Sequence, residues 1–324
     1  AHSDIHRGQT AMKTSNLTYR LPAVHQGGFG LVELMVAMTL GLVVLVAVGY
    51  LYIGSRQAFR TNDNMARMQE NARYVLDTMA RDIRMAGYIG CPNLAAVTPT
   101  SVASAPAMTA AEAITGWDTG SGPGTTGDAI QIMAAVSGGV QLTAALPAAT
   151  AEVKIQSNPF GFKANDILAL SGCNNVDLVK VSAVAGGGPT TITHDGARLG
   201  SYAATDMVMK VERYAYFISG TGLRRSSLNE GTAELIEGIR DMQIVYGVDT
   251  DSNGTPDVYQ NAAAVADWRR VVSVRISLLM ASQDDNVVPS PQTYSFDTDD
   301  DGTPNDVVAA DRRLYQVFTT TVGV

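Results

Sequence analysis

Residues 27–54 read GGFGLVELMVAMTLGLVVLVAVGYLYIG. From Leu34 to Ile53 the stretch runs twenty residues without a charge, which as a helix covers about 30 Å, the thickness of a bilayer's hydrocarbon core. It is long enough to cross a membrane. A secretory signal has a shorter apolar core and ends in a small-residue cleavage site. Here the small pair, Gly27 and Gly28, precedes the apolar run, so a cut between Gly28 and Phe29 leaves the helix on the mature chain with Phe29 as its first residue. Residues 12–26 contain Lys13, Arg20 and His25 and no acid, which suits a cytoplasmic flank under the positive-inside rule. Met12 is the expected start of translation, with residues 1–11 an upstream extension.

Glu33 stands at the edge of this apolar span. A carboxylate there costs up to about 3 kcal/mol if it lies deep, so it needs a partner or a function. It either snorkels to the headgroups or pairs with the new amine of Phe29, on its own chain or a neighbour's. Gly28, Phe29, Glu33 and the run LVELMVAMTLGLVVLVAV resemble the class III signal of type IV pilins and type II secretion pseudopilins. The resemblance implies a prepilin peptidase that cuts after Gly28 and methylates Phe29, and a Glu33 that meets another subunit's N-terminal amine during assembly. One departure stands out. Major pilins usually carry prolines in this helix, whereas residues 29–91 contain none, leaving Gly41, Gly49 and Gly54 to soften it at about 1 kcal/mol each.

Beyond Ser55, Met65, Met68, Ala72, Val75, Met79, Ile83 and Ala86 recur at steps of three or four and define an apolar stripe. The other face carries Arg60, Asp63, Arg67, Glu70, Arg73, Asp77 and Arg81, a solvated face with opposite charges one turn apart. No breaker intervenes, so the pattern predicts one helix from Phe29 to Ala86, ended by Gly87 in the left-handed position that caps helices. Its first half belongs in lipid or a filament core, and its second half on a sheet.

Residues 95–127 are rich in Ala, Thr, Ser, Gly and Pro and read as a surface connection or a mobile insertion. Short apolar or alternating runs at 129–135, 152–156, 166–170, 177–183 and 207–218 read as strands. VERYAYFISGTGLRRSSL has the form of a hairpin around Gly220–Gly222. ELIEGIRDMQIVYGV and WRRVVSVRISLLMAS follow as further strands. The fold class is therefore α+β and pilin-like, a long N-terminal helix packed through its second half on an antiparallel sheet. The divisions are 1–28 leader, 29–54 membrane helix, 55–87 amphipathic half and 88–324 a β-rich periplasmic head. The string from Glu212 through Gly247, ADWRRVVSVRISLL, the end DRRLYQVFTTTV and GYIGC resemble PilW-type minor pilins. Minor pseudopilin J of type II secretion shares the hairpin and is one alternative; a calcium-dependent adhesin is the other. The resemblance implies an inner-membrane protein drawn into a pilus at or near its tip. Its partners would be other minor pilins, the major pilin and an adhesin-like tip protein, and it would support motility and attachment.

DTDSNGTPD at 249–257 and DTDDDGTPND at 297–306 recur 48 residues apart. Each has oxygen-bearing side chains at positions one, three and five and glycine at six, the front half of an EF-hand-like loop. Hard Ca²⁺ takes several oxygens, alternate residues aim inward, and the glycine allows the turn that brings a carbonyl to the ion. The candidate ligands are Asp249, Asp251, Asn253, the carbonyl of Thr255 and Asp257. In the second loop they are Asp297, Asp299, Asp301, the carbonyl of Thr303, and Asn305 or Asp306. Position twelve, a bidentate Glu in a full EF-hand, is Gln260 or Val308, so any Ca²⁺ sites are weak and suited to extracellular calcium. The alternative is a pair of metal-free Asp/Gly turns.

The chain's 324 residues are 46% apolar and 17% charged, enough for a sizeable core. Arg7, Lys13 and Arg20 against Asp4 fall in the leader, so 20 basic and 30 acidic residues of the chain's 23 and 31 follow it. That balance disfavours direct nucleic-acid binding. Cys91 and Cys173, the two cysteines, are too far apart for a CxxC site. In an exported head they form one disulfide, and otherwise they are buried thiols. Three of the four histidines precede Phe29, which leaves no histidine metal centre. His194 in THDG reads as a surface loop rather than part of a triad. No P-loop or dinucleotide glycine pattern follows a strand, and no enzyme is expected.

Overall fold

In the computed structural model the described residues are Gly28 and residues 30–149, 152–198, 200–298 and 302–324. The leader through Gly27, Phe29, Asp299 and Asp301 lie outside them, and with them the cleavage point's second residue and two of the candidate calcium ligands. One helix, α1, runs from Leu31 to Arg84. Two compact units divide the chain within it, residues 1–55 and 56–324.

The second unit starts on the amphipathic half of α1. Met68, Ala72, Val75, Met79, Ala80 and Ile83 are buried, and Met65 and Ala86 pack beside them. The apolar stripe is thus the packed face, and the charged face is exposed, with Arg67 reaching Asp63 at 3.1 Å and Arg73 reaching Asp77 at 3.8 Å. Such exposed pairs contribute a few tenths of a kcal/mol at most, roughly. Near the start of its amphipathic half the helix is tied down by Gln57 and Thr61, whose side chains both donate to the carbonyl of Val287. Past Arg84 a turn ends it, with Gly87 at φ +76°.

The strands follow in order. Before the middle of the chain come β1 (Thr100–Ser101), β2 (Ile114–Trp117), β3 (Thr126–Ala135), β4 (Val140–Gln141) and β5 (Glu152–Ile155). Then come β6 (Ile167–Ser171), β7 (Val176–Ala185), β8 (Thr190–His194), β9 (Met207–Ser219), β10 (Gly222–Ser227) and β11 (Gly231–Glu237). The C-terminal part has β12 (Ile239–Val248), β13 (Val258–Gln260), β14 (Val271–Ala281), β15 (Thr293–Phe296), β16 (Asn305–Val308) and β17 (Tyr315–Gly323).

Strands β1 to β11 form one sheet with the path β11-β10-β9-β6-β7-β8-β5, while β13-β12-β14-β17 form a second and β15-β16 a hairpin. Pairing is antiparallel except where β1 meets β7. Helix α1 packs over β12, β14 and the near end of β9 and β10, giving one core that includes Ile130, Tyr216, Met242, Ile244, Tyr246 and Ile276. The architecture is the expected α+β one, with more strands than the sequence reading resolved.

Two expectations are corrected. Residues 95–127 are not a surface connection, because Val102, Ala105, Met108, Ala113 and Ile114 are buried and β1 and β2 are formed there. Small apolar residues among Thr, Gly and Pro read as loop, yet a tightly packed layer needs small side chains. His194 is not on a surface loop either. It closes β8, whose alternation turns Thr190, Ile192 and His194 inward, and it is 3% exposed. The turn comes after it, with Gly196 at φ +74°.

Candidate functional site

At the N-terminal end, Leu34 N–H donates to the carbonyl of Gly30 at 3.1 Å, so the first helical turn closes on Gly30. Glu33 lies in that first turn, where unpaired N–H groups favour a carboxylate. Its expected partner, the Phe29 amine, lies outside the described residues. The most apolar stretch of α1 has no buried residue. Leu31, Leu34, Leu45, Leu51 and Ile53 are all more than half exposed. Apolar side chains on every face of a bare helix require an apolar environment around it.

At the other end of α1 the chain is fastened twice. Cys91 and Cys173 form a disulfide with Cα atoms 4.9 Å apart. Cys173 sits in the turn between β6 and β7, so the bridge joins the segment after the helix to the central sheet. The second fastening escaped the sequence reading. Tyr216 donates a short hydrogen bond to Asp82 Oδ2, and Arg225 Nη1 lies 3.7 Å from the same oxygen. Burial pushes the Asp82 carboxyl above the usual carboxylate range, against the opposing effect of the Tyr216 hydrogen bond and the Arg225 charge. Arg225 also stacks on Tyr214 at 4.5 Å, and burial raises that phenol to about 12.

Both acidic strings are hairpin connections. The first links β12 to β13, paired at Val248 and Val258, and the second links β15 to β16, paired at Phe296 and Asn305. In the first, Asp249 Oδ1 accepts from Ser252 N at 2.6 Å and Asn253 N at 3.2 Å, and Oδ2 accepts from Gly254 N at 2.7 Å. Asp251 Oδ1 accepts from Asn253 N at 3.1 Å. Asn253 Oδ1 accepts from Thr255 N at 2.7 Å, and Asp257 Oδ2 accepts from Thr250 N and Oγ1, each at 2.7 Å. Carboxylate oxygens of Asp249, Asp251 and Asp257 lie within 4.8 Å of one another. Asp249 titrates below the usual range chiefly because of the Gly254 N–H, and Asp257 because of the Thr250 side chain and N–H.

The second loop shares two described features with the first. Asp297 Oδ2 accepts from Gly302 N at 2.8 Å, and Gly302 has φ +82° against +84° for Gly254. Of its other candidate ligands, Asn305 and Asp306 lie in β16, Thr303 lies in the connection, and Asp299 and Asp301 lie outside the described residues. The donor set of the first loop fits a hard cation, since each carboxylate oxygen keeps lone-pair capacity beyond the N–H it accepts. The N–H donors also offset part of the mutual repulsion that three carboxylates would otherwise suffer.

A family model described as Type IV Pilus-assembly protein W matches residues 199–324, the part of the head from β9 to the end. A second, the prokaryotic N-terminal methylation motif, matches residues 24–49, which brackets Gly28, Phe29 and Glu33. Together the two matches support a type IV pilin-like minor pilin. No curated protein and no solved structure matches it. The motif and the long apolar helix support membrane anchoring, and the matches point to a structural pilus component rather than an enzyme. The same two matches suggest interaction with other pilus components.

Proposed function

We propose that the protein takes part in type IV pilus assembly, in an initiation or tip complex, and through it supports motility and adhesion. The observation that carries this reading is one continuous helix, Leu31–Arg84, bare and apolar at its start and packed into a β-rich head at its end. A prepilin peptidase cuts between Gly28 and Phe29 and methylates Phe29. The helix then holds the chain in the inner membrane with the head in the periplasm. In the filament the helix lies among the helices of other minor pilins and the major pilin, and Glu33 meets a Phe29-type amine. An adhesin-like tip protein is the outermost partner. Ca²⁺, when bound by Asp249, Asp251, Asn253, Thr255 and Asp257, stiffens the β12–β13 connection by neutralising its carboxylates.

Deleting the protein and imaging surface pili tests the assembly role. Loss of pili is the expected result. Normal pili with failed attachment would make the head an adhesin instead. Glu33→Ala is expected to lower the amount of protein recovered in sheared filaments by about tenfold or more, the effect of losing an ion pair in a low-dielectric setting. Undiminished recovery would remove the pairing with the amine.

A further inference from the structure

A lysine stands between two buried carboxylates where β6 meets β9. The register sets Ile167 opposite Val211 and Leu168 opposite Lys210. One step on, Asp166 faces Glu212, and alternation puts Asp166, Lys210 and Glu212 on one face of the sheet. Lys210 Nζ lies 3.5 Å from Asp166 Oδ1 and 3.4 Å from Glu212 Oε1, with the side chains of Lys210, Asp166 and Glu212 only 15%, 1% and 3% exposed.

The two carboxylates are held differently. Glu212 accepts from Ser227 Oγ at 2.8 Å, Asn229 Nδ2 at 2.7 Å and Asn229 N at 3.4 Å. Asp166 Oδ2 accepts from Lys163 N at 3.0 Å, whereas its Oδ1 is buried and accepts no hydrogen bond. A buried oxygen without a donor is costly, and so is a buried ion pair whose hydrogen bonding is incomplete. Condensation removes both costs at once.

We propose that Lys210 and Asp166 join in an intramolecular isopeptide bond, with Glu212 carrying the protons. Glu212 takes a proton from the Lys210 ammonium, which frees the amine to attack the Asp166 carboxyl carbon. The new bond is Nζ to Cγ, and the bond that breaks is Cγ to Oδ1. Glu212 returns its proton and relays a second one from Nζ to Oδ1, which leaves as water. An ammonium and a carboxylate become a neutral amide and one water, with no oxidant and no net proton. Oδ2 stays as the amide oxygen and keeps the Lys163 N–H. Holding the groups in contact supplies the effective concentration that a bimolecular amidation lacks, and loss of the buried charge pair opposes hydrolysis. The product is a covalent tie between neighbouring strands of the central sheet, and it stands independently of the role in pilus assembly.

Intact-mass spectrometry of the purified full-length chain, followed by peptide mapping, tests it. The expected wild-type mass is lower by one water than that of the disulfide-bonded chain, and fragment spectra join the peptide containing Asp166 to the one containing Lys210. Lys210→Arg keeps the ion pair but is expected at the uncondensed mass, as is Glu212→Gln. A folded wild-type chain at the full mass overturns the proposal, whatever the variants do. A water loss that maps to one peptide, as an aspartyl succinimide would, or that persists in Lys210→Arg, also overturns it. Complete cross-linking in Glu212→Gln overturns the proton-carrying role.

Discussion

Asp249 and Asp82 show the same carboxyl group pushed in opposite directions by its surroundings. Backbone N–H donors led by Gly254 hold Asp249 low, and the Thr250 contacts do the same for Asp257, while burial raises Asp82. By linkage, the contributions of Asp249 and Asp257 are fully present above an ordinary aspartate value of about 4 and are lost as pH falls through their lower folded values. Asp82 runs the other way. Its protonated form is the one favoured by folding, so its contribution is present below the unfolded value and is lost as pH rises through the higher folded one. Carboxyl-carbon NMR titration of the chain is expected to place the Asp249 and Asp257 midpoints below that of Asp82. The reverse order would contradict the assigned causes. Little of this was legible in the sequence: the loop's Asp and Gly spacing announced the turn, but Asp82, Tyr216 and Arg225 meet only through packing between α1, β9 and β10.

At the level of elements, α1 was readable because its two chemistries are written in different periods, an unbroken apolar run and then a stripe at steps of three and four. Strands β3, β5, β6, β7, β9 and β14 followed from alternation and turn residues. The β15–β16 hairpin and the short strands β1 and β2 did not, because their few residues have no period long enough to detect. The segment holding Met108 and Ile114 hid a packed layer behind an Ala- and Thr-rich composition. Two measurements address elements directly. Removing the bridge with Cys91→Ser and Cys173→Ser is expected to lower unfolding stability by about 2–5 kcal/mol, since the closed loop is long. Chemical denaturation with no loss of midpoint would show that the bridge constrains nothing. Calorimetric titration with Ca²⁺ is expected to give weak, millimolar-range binding that Asp249→Ala abolishes, in keeping with the missing twelfth-position Glu. No heat and no thermal stabilisation at that concentration would leave both loops as metal-free turns held by their own N–H bonds.

On the scale of the whole molecule, the proposed assembly has a hydrophobic N-terminal helix serve two environments in turn, first lipid and then the interior of a filament. Its apolar residues are exposed in the isolated chain, while the amphipathic half belongs to the core of the head. The sequence carried this division plainly, because burial in lipid and burial on a sheet select different residue patterns. It did not carry the second and third cores, which depend on pairings between strands distant in sequence, β6 with β9 and β5 with β8. Nor did it show the Asp166, Lys210 and Glu212 cluster, which exists only through the β6–β9 register. The central claim is that processing removes a short polar leader and leaves the apolar helix in place. Mass analysis of the N-terminal peptide of protein purified from its native membrane or pili tests it most directly. The account expects a mature chain beginning at a methylated Phe29, and a mature chain beginning beyond Ile53, with the helix gone, would contradict it.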